Sequence, residues 1–286
     1  MKIKNVDLIS NPSFTSVYPN VDWQSSSANN FVLVESGKQY KVLTLTDCFE
    51  YDEKTYNYYG SYSFTGTKIE QAVVTAILNV TTDDKVVVDM IKGNNEQDYS
   101  SLKTLLENNA YQVNEVSLAT GDFDSNAKIA IMYAPSVDLD EKIVEKLSTW
   151  LSNDGKYGRS LIYVPTADMG EMPNLDDFLK EWGMSIDRGY VFETDESTLV
   201  SASSPYAFTV SYGDYYKDNL KNSKIPVVVS ESHAVNITDE NTAHALLKTS
   251  DKAGVLPIDA DKNWDYKDAV SGNGENVAAE GVMTNE

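Results

Sequence analysis

The side chains that usually carry out nucleophilic and general-base chemistry are scarce in this sequence. Only two histidines occur, His233 and His244, and the chain has neither a Gly-x-Ser-x-Gly nucleophile elbow nor a Gly-x-x-x-x-Gly-Lys-Ser/Thr phosphate loop. Gly272 and Gly274 lack the third glycine of a dinucleotide fingerprint. General-base catalysis at neutral pH usually relies on histidine. The sequence therefore favours a protein that is not an enzyme and that has no catalytic residues, no metal centre and no cofactor.

One acidic stretch and one thiol are further groups that could carry chemistry. Oxygen side chains alternate over residues 259–265, as in a calcium-binding loop, but Trp264 stands where the sharp turn needs glycine and Val270 where a bidentate glutamate belongs. A solvated loop is the simpler interpretation, and calcium binding stays open. Cys48 lies between Asp47 and Glu50, whose charges raise the pKa of a thiol, so an inert cysteine is expected.

Tyrosine is the other residue type that is abundant enough to suggest a function. The chain has 18 tyrosines, and two groups of them are dense: Tyr56, Tyr58, Tyr59 and Tyr62, then Tyr206, Tyr212, Tyr215 and Tyr216. Aromatic rings with hydroxyl edges can stack on sugars or form a protein interface. Ordinary packing on β-structure is the alternative.

The elements that would position these groups alternate between strands and helices from residue 84 onward. Apolar runs predict central buried strands at residues 86–88, 129–132 and 161–164, in a sheet that is mostly parallel. Residues 140–153 have the apolar spacing of an amphipathic helix. The order favours an α/β fold of flavodoxin or Rossmann type. Before it, residues 30–35 and 39–45 predict a strand pair that turns at Gly37, and residues 68–78 predict a helix.

Ligands of such sheets bind beyond the carboxyl ends of the strands. Three loops of this chain follow predicted strands, and their polar or backbone-accessible residues form the predicted ligand site. These residues are Gly93, Asn94, Asn95, Glu96, Pro135, Ser136, Thr166 and Asp168. A polar loop without a ligand is the competing interpretation.

The charge of the chain restricts its partners. Asp and Glu number 44 against 23 Lys and Arg, which gives a net charge of −21 over 286 residues. Such a field repels phosphate backbones and anionic lipid headgroups, so nucleic-acid binding is not expected. The longest apolar runs have the length of strands and not of membrane spans.

An ordered set of short motifs resembles one protein family. Glu70-Gln71 with Ala76-Ile77 and Val80-Thr81 is similar to its E-Q-x-x-x-x-A-I-x-x-V-T helix. Further matches are Asn11-Pro12-Ser13-Phe14, Ala134-Pro135 with Asp138-Leu139 and Glu141, Pro173-Asn174-Leu175 with Phe178-Leu179 and Trp182-Gly183, and Leu246-Leu247-Lys248-Thr249-Ser250. Together they resemble the extracytoplasmic region of the gliding-motility-type ABC transporter auxiliary proteins, over residues 4–249.

The resemblance implies a glutamine-amidotransferase-like or flavodoxin-like core without catalytic residues, in a bacterial membrane-anchored parent protein. It implies an extracytoplasmic location and an ABC permease and ATPase as partners, for protein contact or weak ligand capture. The family commonly has Gly-His-x-Glu where this chain has Gly93-Asn94-Asn95-Glu96, which weakens any claim of chemistry there. A carbohydrate- or glycan-binding module that uses the tyrosine clusters is the alternative function.

Three segments are expected from these observations. Residues 1–67 form an N-terminal α/β or β segment, which the resemblance identifies as an incomplete thioredoxin-like domain. Residues 68–250 form the flavodoxin-like core, and residues 251–286 form an acidic loop and a terminal strand.

Overall fold

The computed structural model describes residues 2–23 and 32–284. Contacts within the chain group into two compact units. The first contains Met1–Val86 and Ser100–Val113, and the second contains Val87–Tyr99 and Asn114–Glu286. The predicted divisions at residues 67 and 250 stay predictions. Within the described ranges, no helix is both long and apolar enough to cross a membrane.

The first unit is built from short helices and two antiparallel strand pairs. Its elements are α1 (Phe14–Val17), β1 (Val32–Ser36), β2 (Gln39–Leu43), α2 (Leu45–Cys48), β3 (Phe49–Tyr51), α3 (Glu53–Tyr59), β4 (Phe64–Thr67), α4 (Ile69–Thr81) and α5 (Ser100–Asn108). β1 pairs with β2 across Gly37, whose positive φ of 61° suits glycine in a tight turn. The predicted hairpin is thus present, although residues 30 and 31 lie outside the described part.

A small core holds the first unit together. Leu43, Cys48, Ala72 and Ala76 are buried against one another, with α4 supplying the two alanines. The predicted helix at residues 68–78 is therefore confirmed, and its buried face packs on the β1–β2 pair. Thr44 begins α2 with a capping box, in which it and Asp47 satisfy each other's backbone N–H groups.

The second unit contains a four-stranded parallel sheet. Its strands are β5 (Val87–Ile91), β6 (Gln112–Val116), whose first two residues belong to the first unit, β7 (Ala127–Tyr133) and β8 (Ser160–Val164), in the order β6-β5-β7-β8. β7 pairs in parallel with both β5 and β8. All five residues of β5 are buried. The predicted buried strand at residues 86–88 is confirmed for Val87 and Val88, whereas Val86 precedes β5 and is 43% exposed.

Helices α6 (Glu141–Ser152) and α7 (Pro173–Glu181) supply the main core of this unit together with the sheet. The spacing predicts an apolar face of Ile143, Val144, Leu147, Trp150 and Leu151, and all of these are buried except Val144, which is partly buried. Asp89 is a fully buried carboxylate in the middle of β5. It accepts hydrogen bonds from the Asn114 amide and the Asp124 backbone N–H, at 3.1 and 2.8 Å, so its burial is compensated.

The prediction that residues 161–164 form a central buried strand is wrong. β8 lies at the end of the sheet order, and Ile162 and Val164 are 47% and 36% exposed. Leu161 and Tyr163 point to the other face, where they pack against the main core. An apolar run of this length is compatible with an edge strand because only alternate side chains need to reach the core.

The remainder of the second unit is antiparallel. It contains β9 (Met184–Ile186), β10 (Tyr190–Phe192), β11 (Leu199–Ser201), β12 (Ser204–Tyr212), α8 (Asp214–Lys217), β13 (Val227–Ser230), β14 (Val235–Ile237), β15 (Ala243–Lys248), β16 (Gly254–Leu256) and β17 (Asn276–Gly281). β12 joins β11, β13 and β15, and β17 pairs with β15. The described part of the chain is thus a mixed α/β structure with one parallel sheet and several antiparallel ones. The predicted acidic loop at residues 251–275 also contains the short strand β16, which pairs with β10.

Candidate functional site

The predicted ligand site lies at the carboxyl ends of β5, β7 and β8. The structure brings the first two loops into direct contact. The backbone N–H groups of Ser136 and Val137 both donate to the Asn94 carbonyl at 3.1 Å. The buried Asn94 amide donates in return to the carbonyls of Val137 and Asp138, at 3.3 and 3.0 Å. These bonds bridge the gap between β5 and β7, at the place where the ligand site is predicted.

Glu96 was expected to offer its carboxylate to a ligand. The carboxylate instead folds back on its own loop, where it accepts the backbone N–H groups of Gly93 and Asn94 at 3.0 and 2.9 Å. Gly93 has a φ of 118°, a conformation that favours glycine and lets its N–H turn toward Glu96. Asn95 donates its amide to the Ser136 hydroxyl, which itself donates to the Asn95 carbonyl. The polar groups of these two loops therefore satisfy one another.

The third loop is held by residues that the sequence interpretation missed. Gln97 donates its side-chain amide to the Thr166 hydroxyl at 2.8 Å, which ties the loop after β5 to the loop after β8. Thr166 is 3% exposed, and its carbonyl lies 3.0 Å from Nε2 of His233. Asp168 is exposed and accepts the Tyr190 hydroxyl at 3.0 Å. Gln97 directly follows the predicted site residues, and this position was its only signal in the sequence.

His233 is buried beside this loop. Its Nδ1 lies 2.9 Å from the Gly189 carbonyl, and its ring stacks on Tyr190 with 5.6 Å between centroids. Burial raises the pKa of Tyr190, with the hydrogen bond to Asp168 as the second cause. Both ring nitrogens of His233 lie within hydrogen-bonding distance of a backbone carbonyl, and a protonated nitrogen donates to the carbonyl that it faces, so the ring joins two loops. This arrangement is that of a structural histidine.

Asp138 connects two of the motifs on which the family resemblance depends. Its carboxylate accepts the backbone N–H groups of Asn174 and Leu175 at 3.0 and 3.2 Å, in the first turn of α7. Met172, which precedes that helix, supplies no capping bond. The Asn174 amide donates to the Leu139 carbonyl at 2.7 Å. The segments around Pro135 and Pro173 thus stabilise each other, and Asp138 acts as a remote N-terminal cap.

Replacement of Asp138 by alanine is expected to lower the free energy of unfolding by about 1–2 kcal/mol, the usual cost of losing a helix N-cap. Urea unfolding monitored by circular dichroism measures this change. Asp177→Ala is the matched control, because Asp177 lies on α7 as an exposed carboxylate that forms an ion pair with Lys180 on the same helix. Equal losses for the two variants would show that Asp138 has no capping role.

The tyrosine clusters differ in how far they are engaged. In the second cluster the hydroxyl oxygens of Tyr206 and Tyr266 lie 3.2 Å apart, and the Tyr212 hydroxyl donates to the Ile225 carbonyl. The ring of Tyr215 stacks on His244. In the first cluster Tyr58 and Tyr59 are 81% and 72% exposed. Their rings touch only edge to face, with 4.7 Å between centroids, so both keep open faces.

The remaining reactive groups are also engaged within the fold. Burial, followed by the charge of Asp47, raises the pKa of the Cys48 thiol, as expected for an inert cysteine. In the acidic stretch, Asp261 and Asp265 accept the backbone N–H groups of Asn263 and Lys267, at 2.7 and 3.0 Å. Across the described residues, no group of three or more His, Cys, Asp and Glu side chains is arranged to hold a metal ion.

Comparison with known proteins adds little to this description of a mixed α/β chain. No family model and no curated protein matches it. A solved structure titled "mmIFT52 N-terminal domain" aligns with 57% of this chain and 72% of its own, at 14% identity and a TM-score of 0.44. A likeness of this size carries no argument about function.

Proposed function

We propose that this chain is a non-enzymatic, extracytoplasmic accessory domain of a bacterial ABC transport system. In this proposal its parent protein is anchored in the membrane and contacts an ABC permease and ATPase. The single observation that carries the proposal is the contact between Asp138 and the first turn of α7, at Asn174 and Leu175. Two motifs that resemble those of the ABC auxiliary family contact each other here, although Asp138 and Asn174 are 36 residues apart in sequence.

The strand order supports the finer fold assignment that the proposal requires. The chain passes from β5 to β6 on one side and from β7 to β8 on the other, so the winding direction changes between β5 and β7. This change is a property of doubly wound, flavodoxin-like sheets. On this basis we propose that the core of the domain is flavodoxin-like or glutamine-amidotransferase-like.

The hydrogen bonds within and between the strand-end loops favour protein contact over ligand capture as the role of this domain. Asn94 and Ser136 form hydrogen bonds with the neighbouring loop, and Glu96 accepts hydrogen bonds within its own loop. A ligand would have to break several of these bonds before it could form its own. Any ligand at Gly93–Glu96 and the facing loops at Pro135, Thr166 and Asp168 is therefore expected to bind weakly.

Purification of the parent protein from bacterial membranes in detergent tests the partner assignment. A permease and an ATPase are expected to co-purify in fixed stoichiometry. Their absence from the purified material, when both are present in the same membranes, would contradict the proposal.

A single-cysteine variant tests the location. Ala202→Cys in a Cys48→Ala background places a thiol on the exposed turn between β11 and β12. A membrane-impermeant maleimide is expected to label this thiol in intact cells. The unsubstituted protein is the control, because its buried Cys48 should react only after unfolding. Labelling of the introduced thiol only after cell lysis would place the domain in the cytoplasm.

Glycan binding is the second candidate function, and the open faces of Tyr58 and Tyr59 favour it. Pyranose rings stack on exposed aromatic faces of this kind. If the domain binds glycans, a glycan array should give a signal that the double variant Tyr58→Ala/Tyr59→Ala loses. Tyr215→Ala is the matched control, since Tyr215 is stacked on His244. A signal that survives the double variant would exclude this surface.

A further inference from the structure

Asn273 and Gly274 lie in a bend that leads into strand β17, and they are the only Asn-Gly pair of the chain. Asn273 is exposed, and its backbone N–H donates to the Ser271 hydroxyl at 3.3 Å. Among the described residues, no group bonds to the Asn273 side chain, and the Gly274 N–H has no acceptor. No hydrogen bond therefore holds the Asn273 amide and the Gly274 nitrogen apart.

The fold requires glycine at position 274. Its φ of 71° lies in the left-handed region, which favours glycine. A Cβ atom at this position would lie 2.6 Å from the Ser250 carbonyl oxygen and 3.1 Å from that of Thr249, so a larger residue would have to displace this backbone. The missing Cβ also leaves the Gly274 nitrogen sterically unhindered as a nucleophile. The packing that selects glycine here thus keeps a reactive Asn-Gly pair in the native protein.

We propose that Asn273 is a site of spontaneous deamidation in the folded protein. The backbone nitrogen of Gly274 loses its proton to solvent and attacks the side-chain carbonyl carbon of Asn273. The new C–N bond closes a five-membered succinimide ring, while the side-chain nitrogen takes up a proton and leaves as ammonia. Water then opens the ring at either of its carbonyls, which gives isoaspartate or aspartate at position 273. Water is the only co-reactant of this sequence.

The reaction changes both the charge and the backbone of this segment. Each event replaces a neutral amide by a carboxylate, two residues before the partly buried Glu275. The isoaspartate product also adds a methylene group to the main chain directly before Gly274. The backbone N–H of Glu275 donates to the Thr249 hydroxyl at 2.7 Å, and its carbonyl accepts the Thr249 N–H at 2.9 Å. Deamidation therefore alters the connection that leads into β17. This inference is independent of the proposed transport function.

Isoelectric focusing of the whole folded chain, incubated at mildly alkaline pH, tests the proposal. A species with one further negative charge is expected to accumulate, faster at higher pH because the attacking nitrogen must lose its proton. Asn273→Gln should remove most of this species, since glutamine would have to close a less favourable six-membered ring. Asn222→Gln is the matched control and should leave the rate unchanged. Asn222 is also exposed, but it precedes Ser223 and its side chain accepts the Lys224 N–H at 3.1 Å. Equal accumulation in Asn273→Gln and the unsubstituted chain would overturn the proposal.

Peptide mapping by mass spectrometry locates the change without any substitution. Incubation of the native chain in heavy-oxygen water is expected to introduce the isotope at residue 273, in the tryptic peptide that follows Lys267. Asn276 lies in the same peptide as an internal control and should remain an amide, because it belongs to β17 and its side chain donates to the Val235 carbonyl at 3.3 Å. Label at Asn276 but not at residue 273, or label that appears only after unfolding in urea, would also overturn the proposal.

Discussion

Replacement of Glu193 by alanine is expected to lower the free energy of unfolding by about 3 kcal/mol or more, since each hydrogen bond to a buried charged group contributes roughly 1.5–3 kcal/mol. Glu193 is 1% exposed and follows β10 directly. Its carboxylate accepts the backbone N–H groups of Thr194 and Asp195, both at 2.8 Å. It also accepts the backbone N–H and the hydroxyl of Ser250, at 3.3 and 2.9 Å.

These bonds explain why the loss should be large. Glu193 joins the end of β10 to the turn that follows β15, two segments 57 residues apart in sequence. Alanine leaves these four donors without the acceptor that the buried Glu193 carboxylate supplies. Glu193→Gln should lose less, because its amide keeps one oxygen for Thr194 and Asp195 while its NH₂ group faces the N–H of Ser250.

Urea and thermal unfolding of the three proteins measure this order of stability. Glu196→Ala is the matched control, because Glu196 is exposed in the same segment. A loss for Glu193→Ala no greater than that of Glu196→Ala would mean that the Ser250 contact contributes nothing.

Replacement of His233 by alanine is expected to lower the free energy of unfolding by about 3 kcal/mol. The variant loses the packing of a buried ring and the hydrogen bond that the ring donates to a backbone carbonyl. The ring is 3% exposed and lies between the Thr166 and Gly189 carbonyls. It therefore fastens the loop after β8 to the start of β10. Tyr190, which stacks on the ring, loses part of its packing as well.

Hydrogen exchange distinguishes this local effect from a general loss of stability. The amides of residues 166–168 and 189–191 are expected to exchange faster in His233→Ala under conditions where α6 remains protected. His244→Ala serves as the control, because His244 is only partly buried and stacks on Tyr215 at a separate place. Uniform acceleration across the second unit would argue against a specific role in holding the loop.

The local elements of this protein could be predicted from the sequence because their signals are short in range. Apolar spacing identified α6 and its buried residues, and unbroken apolar runs identified β5 and β7 as buried strands. Gly37 identified the turn between β1 and β2. The loops of the predicted ligand site were also correctly placed at the ends of the three parallel strands.

Only the tertiary structure decided how these elements pair and what their polar groups contact. The sequence does not show that β8 ends the sheet, because an apolar run looks the same in an edge strand and in a central one. It does not show that Asp138 caps α7 or that Glu96 turns back on its own loop, because both depend on the packing of distant or flexible segments. The spacing of side chains along one element is local, whereas strand order and the partner of each carboxylate depend on residues that only folding brings together.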